Sequence, residues 1–136
     1  TDYRELAGMS KDDANENCMV AVLSYRDFDC LFTGDIGFAQ ERLLEGYGSL
    51  LDVEVLKVAH HGSKYSTGEA FLMQTTPLTA LISVGKNSYG HPTAETLGRL
   101  AAFGSGIYRC DQYGDITIRT NGYRDYRITV EKGKVS

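Results

Sequence analysis

The sequence has no tryptophan, only two prolines and only three cysteines. Cys18, Cys30 and Cys110 are odd in number, widely spaced and include no CxxC pair. That pattern excludes a disulfide framework and a thiolate zinc centre, and leaves them as small apolar side chains suited to an interior. No apolar run approaches the roughly 20 residues needed to cross a bilayer, and no charged-then-apolar signal segment opens the chain, so the polypeptide reads as soluble. Positive charge is not in excess either: 14 Lys and Arg stand against 18 Asp and Glu, a formal charge of -4. A broad cationic surface is therefore absent, and any nucleic-acid contact has to be local or helped by a metal ion. Thr1 to Glu16 is polar and starts without an initiator methionine, which predicts a chain excised from something longer.

What is present suits one globular domain: 136 residues, 42% hydrophobic and 24% charged. Residues 19–25 and 30–33 are apolar runs separated by Arg26-Asp27-Phe28-Asp29, a pattern that predicts an antiparallel hairpin. Phe38, Leu43, Leu44 and Tyr47 share a helical face, which predicts a helix over 38–47 that stops at the glycines 46 and 48. Residues 53–59 and 80–85 read as buried strands. Between them, Ser66-Thr67-Gly68-Glu69 has capping-box spacing and predicts a helix towards Thr75, before Pro77. Pro92-Thr93 and Gly104 bracket a helix over 94–103. The tail, with turns at 112–114 and 121–122, reads as a strand meander.

All three histidines fall at strand-to-helix junctions, His60-His61-Gly62-Ser63 and Gly90-His91-Pro92, and Asp35 ends the strand 31–34. In an α/β layer the carboxyl ends of neighbouring strands lie at one sheet edge, where ligand sites form. Imidazole nitrogens with a hard carboxylate suit zinc, manganese or iron in hydrolytic sites, where a bound water becomes a nucleophile near neutral pH. Ser63 and Lys64 are placed to donate to a phosphate oxygen, and the helix start behind Ser66 offers further backbone donors. Taken singly, each feature has an ordinary account: Gly-Asp is a common turn, a histidine pair packs at surfaces, and Gly-His-Pro is a common loop. Nine tyrosines make core and rim packing the simpler account of Tyr89 and Tyr113. It is the joint order and position at strand ends that points to a site.

Leu31-Phe32-Thr33-Gly34-Asp35, the run 53–63 ending His60-His61-Gly62-Ser63, and Ile82-Ser83-Val84-Gly85 with Tyr89-Gly90-His91-Pro92 resemble, as a series, the metallo-beta-lactamase domain of ComEC-type DNA-uptake (competence) proteins and its stand-alone hydrolase relatives. Asn17-Cys18-Met19-Val20 is similar to the segment preceding the hairpin in that family, with cysteine where serine is usual. The resemblance implies an α/β fold: half of an αββα sandwich, a mixed sheet flanked by helices with a C-terminal strand meander, residues 1–136 forming one partial domain. It implies a metal-dependent hydrolase of phosphodiester bonds, a nuclease acting on DNA, with two zinc or manganese ions in the complete domain.

By the same resemblance Asp35 matches the carboxylate bridging two metals and His91 a late histidine ligand. His60 and His61 match the catalytic pair that contacts phosphate or moves a proton, with metal ligation by one of them as the second possibility. Ser63 and Lys64, read above as phosphate donors, are expected to bind substrate, and so is Asn17, which the resemblance puts near the metal pocket. The family's first motif, His-x-His-x-Asp-His, has no counterpart here, so the chain is expected to be the C-terminal piece of a longer bacterial protein and, alone, inactive and weak for metal. Its expected partners are DNA or another phosphodiester and the N-terminal half of the same domain, with self-association through an exposed apolar sheet face. Its expected location is at a membrane through the parent, extracytoplasmic, or secreted and soluble if stand-alone. The competing expectation is a non-catalytic nucleic-acid- or protein-binding module of the same fold.

Overall fold

The short apolar runs of the sequence become adjacent strands in the computed structural model, which describes residues 2–7 and 18–132. The strands β1 (Asp2–Ala7), β2 (Met19–Tyr25), β3 (Phe28–Phe32), β4 (Val55–Lys57), β5 (Thr79–Ile82) and β6 (Gly106–Arg109) form one mixed sheet in that spatial order. β1, β2 and β3 pair antiparallel; β3 to β6 run parallel. Helices α1 (Phe38–Leu43), α2 (Glu69–Thr75) and α3 (Ala94–Phe103) connect the parallel strands. After β6 come the short helix α4 (Cys110–Tyr113) and a separate antiparallel hairpin of β7 (Ile116–Thr120) and β8 (Tyr126–Val130). An α/β chain with a mixed sheet flanked by helices is what the sequence predicts.

The two sheet faces have different covers. Val20, Val22, Leu31, Leu56, Ala80 and Ile82 point to one face and pack with Leu44, Phe71, Leu72 and Leu100 from the helical layer. Each fully buried leucine or isoleucine in this layer contributes about 1.5–3 kcal/mol. Phe28, Cys30 and Val55 point the other way, with Leu23, Leu81 and the hairpin residues Ile118 and Tyr126 against them. Tyr126 sets its hydroxyl 2.5 Å from that of Thr79 and its ring edge-on to Phe28. Cys30 is buried, and burial pushes its thiol up to about 12; Cys18 and Cys110 are half-buried.

Four expectations change. The helix over 38–47 ends at Leu43 and is followed by a tighter 3-10 segment, Leu44–Leu51, which is itself kinked at Gly48 with φ 53°. The strand over 53–59 is regular only at Val55–Lys57, since His60 and His61 already turn with φ 49° and 53°. The capping box at Ser66–Glu69 does not form: Ser66 Oγ donates to the Ile36 carbonyl, and Glu41 from α1 accepts the Thr67 and Gly68 amides at 2.8 and 2.7 Å. A buried carboxylate is a stronger acceptor than a hydroxyl and suits the positive end of α2. The meander is also not continuous: β6 joins the main sheet beside β5, and only β7 and β8 pair with each other. By contrast α3 has the expected bracket, Thr93 Oγ1 accepting the Thr96 amide and Gly104 left-handed at the end.

Candidate functional site

β3, β4 and β5 are consecutive and parallel, so the loops leaving their carboxyl ends share one edge of the sheet. Three cross-links fix these loops together. The His60 amide donates to the Gly34 carbonyl at 2.9 Å, which ties the β4 exit to the β3 exit. The Thr93 amide and hydroxyl both donate to the Gly62 carbonyl, at 2.9 and 3.0 Å, and Thr96 Oγ1 donates to the Ser63 carbonyl at 2.7 Å. Gly62 is the contact point: with φ 86°, a Cβ there would lie 2.6 Å from Pro92 Cβ and 2.9 Å from Pro92 Cα. Only glycine lets the histidine-pair loop sit directly on the residue after His91.

The result is a cluster of imidazoles. Ring centroids are 5.5 Å apart for His60 and His91 and 6.5 Å for His60 and His61. His60 and His61 hold left-handed backbone, which is strained for non-glycine residues and concentrates at working sites. His61 Nδ1 lies 2.6 Å from the Ser83 carbonyl oxygen. A carbonyl brings no proton, so Nδ1 carries it and Nε2 keeps a lone pair for a proton or a cation. Partial burial, then the neighbouring His60 and His61, holds the His91 pKa below its ordinary 6.5, so this ring is neutral at pH 7.

Asp35 is half-buried at the same edge, placed by the Gly34–His60 bond, but among the described residues it forms no ion pair with an imidazole. Its charge instead acts on Lys57, whose ammonium donates to the Val58 carbonyl at 3.0 Å. Burial pushes the Lys57 pKa down, and Asp35 and then Cys110 oppose that shift. Ser63 is buried at 4% exposure, its hydroxyl accepting the Tyr65 amide at 3.3 Å, whereas Lys64 is exposed with its ammonium 5.1 Å from the Tyr65 ring centre. The amides at the start of α2, expected to face a phosphate, are occupied by Glu41. Asn17 lies outside the described residues.

Other contributors carry weaker sequence signals. Tyr89 is 82% exposed and stacks on His91 with centroids 6.0 Å apart, so rim packing does not describe it; Tyr113 is half-buried and packs on Tyr108 at 5.8 Å. Asn87 staples the loop carrying His91: its Oδ1 accepts the Tyr89 and His91 amides, and its Nδ2 donates to the Gly85 and His91 carbonyls. A cavity of about 200 Å³ opens here, lined in part by His61, Lys86, Tyr89 and His91. Lys57 and Asn87 were legible only as a lone cation in an apolar strand and an Asn-Ser-Tyr-Gly loop.

The chain aligns over 120 residues, 86% of its length, with ComE operon protein 3 of Bacillus subtilis at 38% identity. It aligns over 125 residues with competence protein ComA of Neisseria gonorrhoeae at 34% identity, and over 127 with recombination protein 2 of Haemophilus influenzae at 29%. These bacterial proteins are its homologues. The alignments cover 89% and 93% of the chain in the latter two cases. The chain spans only 16%, 18% and 15% of the three relatives' own lengths. No protein-family model matches it. Among the described residues no helix is long and apolar enough to cross a membrane.

Proposed function

We propose that this chain is the C-terminal portion of a metallo-beta-lactamase-fold hydrolase domain, part of a longer bacterial protein of DNA uptake that cleaves phosphodiester bonds and is attached to a membrane through its other segments. The observation that carries the reading is the convergence of His60, His61 and His91 from two separate strand exits, with Asp35 at the same edge. The homologues' names, competence protein ComA among them, support the DNA-uptake setting.

A zinc or manganese pair belongs to that family reading, and the residues here do not fit it by themselves. Among the described residues no set of three or more His, Cys, Asp and Glu side chains is grouped to hold a metal ion. In that reading His91 and Asp35 would supply part of the ligands, and the rest would have to come from other segments of the longer protein. This chain's own residues act on the water, the phosphate and the leaving group. His61, its tautomer fixed by Ser83, takes a proton at Nε2 from the attacking water or, once protonated, returns it to the leaving alkoxide oxygen as the phosphorus–oxygen bond breaks. His60 contacts a phosphate oxygen, and Lys64, exposed beside the pair, adds positive charge. Tyr89 stacks against a sugar or base next to the scissile group.

The test is cleavage of a generic phosphodiester by the full-length parent. Asp35→Ala and His91→Ala should each abolish turnover while circular dichroism and melting stay near the parent's; retained turnover removes both from the site. The exposed Tyr89 also suits a non-catalytic binding module, and a parent that binds DNA but never turns over a diester with zinc or manganese supplied supports that second reading.

A further inference from the structure

The overall charge of -4 conceals a local concentration of arginine at the end of the sheet away from the imidazoles. The tip of the β7–β8 hairpin docks on the turn between β2 and β3: the Asp27 amide donates to the Gly122 carbonyl at 2.7 Å, and Gly122 is buried against Arg26 and Tyr25. That contact joins Arg26 to the arginines of the hairpin. Arg26 sits between two tyrosines, its guanidinium carbon 5.4 Å from the Tyr25 ring centre and 5.7 Å from that of Tyr123. Arg119 and Arg127 are directly opposite each other across β7 and β8, and both are exposed. They flank a groove of about 590 Å³ whose lining also includes Thr120, Asn121 and Asp125.

Like charges facing each other across a strand pair destabilise a hairpin. Neither Arg119 nor Arg127 has an ion-pair partner among the described residues. Arg124, nearly free of cover, reaches Glu54 only at 3.9 Å. Of the exposed acids, Asp125 alone lines the groove; Asp27 lies at the β2–β3 turn, and Asp115 and Glu131 lie at the far end of the ribbon. The outward residues Thr117 and Thr129 continue the ribbon with hydroxyls and no apolar side chain. Planar guanidinium forks match phosphate oxygens in pairs, and exposed aromatic rings such as Tyr123 at 54% accept stacked bases.

We propose that the β7–β8 hairpin, through Arg26, Arg119, Arg124 and Arg127 with Tyr123, is a second nucleic-acid contact that holds the phosphate backbone of a DNA strand away from the imidazole cluster. It goes beyond the hydrolase reading and requires no cleavage. The lack of apolar residues on the outward face favours nucleic acid over a lipid surface, which needs apolar insertion for firm attachment.

The experiment is fluorescence anisotropy of a labelled oligothymidylate with the chain, in a chelator, across a series of KCl concentrations. Four phosphate contacts give a slope of log affinity against log salt of about -3, and the Arg119→Ala, Arg127→Ala double variant should reduce it to about -1.5. Arg119→Lys with Arg127→Lys should keep most of the slope. The melting temperature of the alanine variant should stay level or rise, which separates lost binding from lost folding. Arg42→Ala, an exposed cation on α1 outside both the patch and the imidazole site, should leave the slope unchanged, so loss at the hairpin is separated from loss of any surface arginine. An alanine variant with the parent's affinity and slope overturns the proposal. So does binding to phosphatidylglycerol vesicles without binding to the oligonucleotide.

Discussion

Replacing Gly62 by alanine strikes the contact that brings the histidine loops together. The added Cβ would meet Pro92 at 2.6 and 2.9 Å, and the nearer of the two backbone-linked atoms is in a ring that cannot rotate away. Left-handed backbone at φ 86° costs an alanine about 1 kcal/mol, and forcing apart a packed contact costs about 1–3 kcal/mol more. The loss also strains the two Thr93 hydrogen bonds to the Gly62 carbonyl. We expect a fall in stability of about 2–4 kcal/mol, or roughly 10 °C in melting temperature for a domain of this size. Urea unfolding followed by circular dichroism measures it, and histidine ring NMR signals report whether His60 and His91 separate. The matched control is Gly98→Ala inside α3, where nothing lies within 4 Å of an added Cβ; it should gain about 0.5–1 kcal/mol. A Gly62→Ala protein within about 0.5 kcal/mol of the parent would refute the account of how the loops are held.

Glu41 gives a pH dependence. Burial raises its pKa from 4.5 to about 6, against the Gly68 and Thr67 amides and Arg99, which lower it. The folded chain therefore keeps a proton that the unfolded chain releases, so this contribution is full below about pH 4.5 and is lost as pH rises through about 6, an effect of about 2 kcal/mol. Urea midpoints across that range should decline from this source in the parent and not in Glu41→Gln; parallel profiles would contradict it. Asn87→Ala removes the staple of the His91 loop at an exposed position. It should cost no more than about 1 kcal/mol of stability while lowering diester turnover of the full-length parent by tenfold or more, and unchanged turnover would remove Asn87 as a positioning residue.

The sequence by itself determined the alternation of strands and helices from β2 to α3, the bracket of α3 and the placement of all three histidines at strand ends, because apolar runs and Gly, Pro and Thr signals act over a few residues; it did not show β1 or α4. It also placed Asp35 at a strand exit. Only the tertiary structure decided which groups meet. Glu41 caps α2 from 26 positions away, in place of Ser66, because the layer packing brings a buried carboxylate to the amides of Thr67 and Gly68. Ser83 fixes the proton on His61, and Pro92 fits only a glycine at 62, through contacts between strands that no local pattern encodes. The arginines of β7 and β8 likewise look scattered along the chain until strand register sets 119 against 127. Register and loop-to-loop contact are properties of the whole fold, and the composition of any one segment leaves them open.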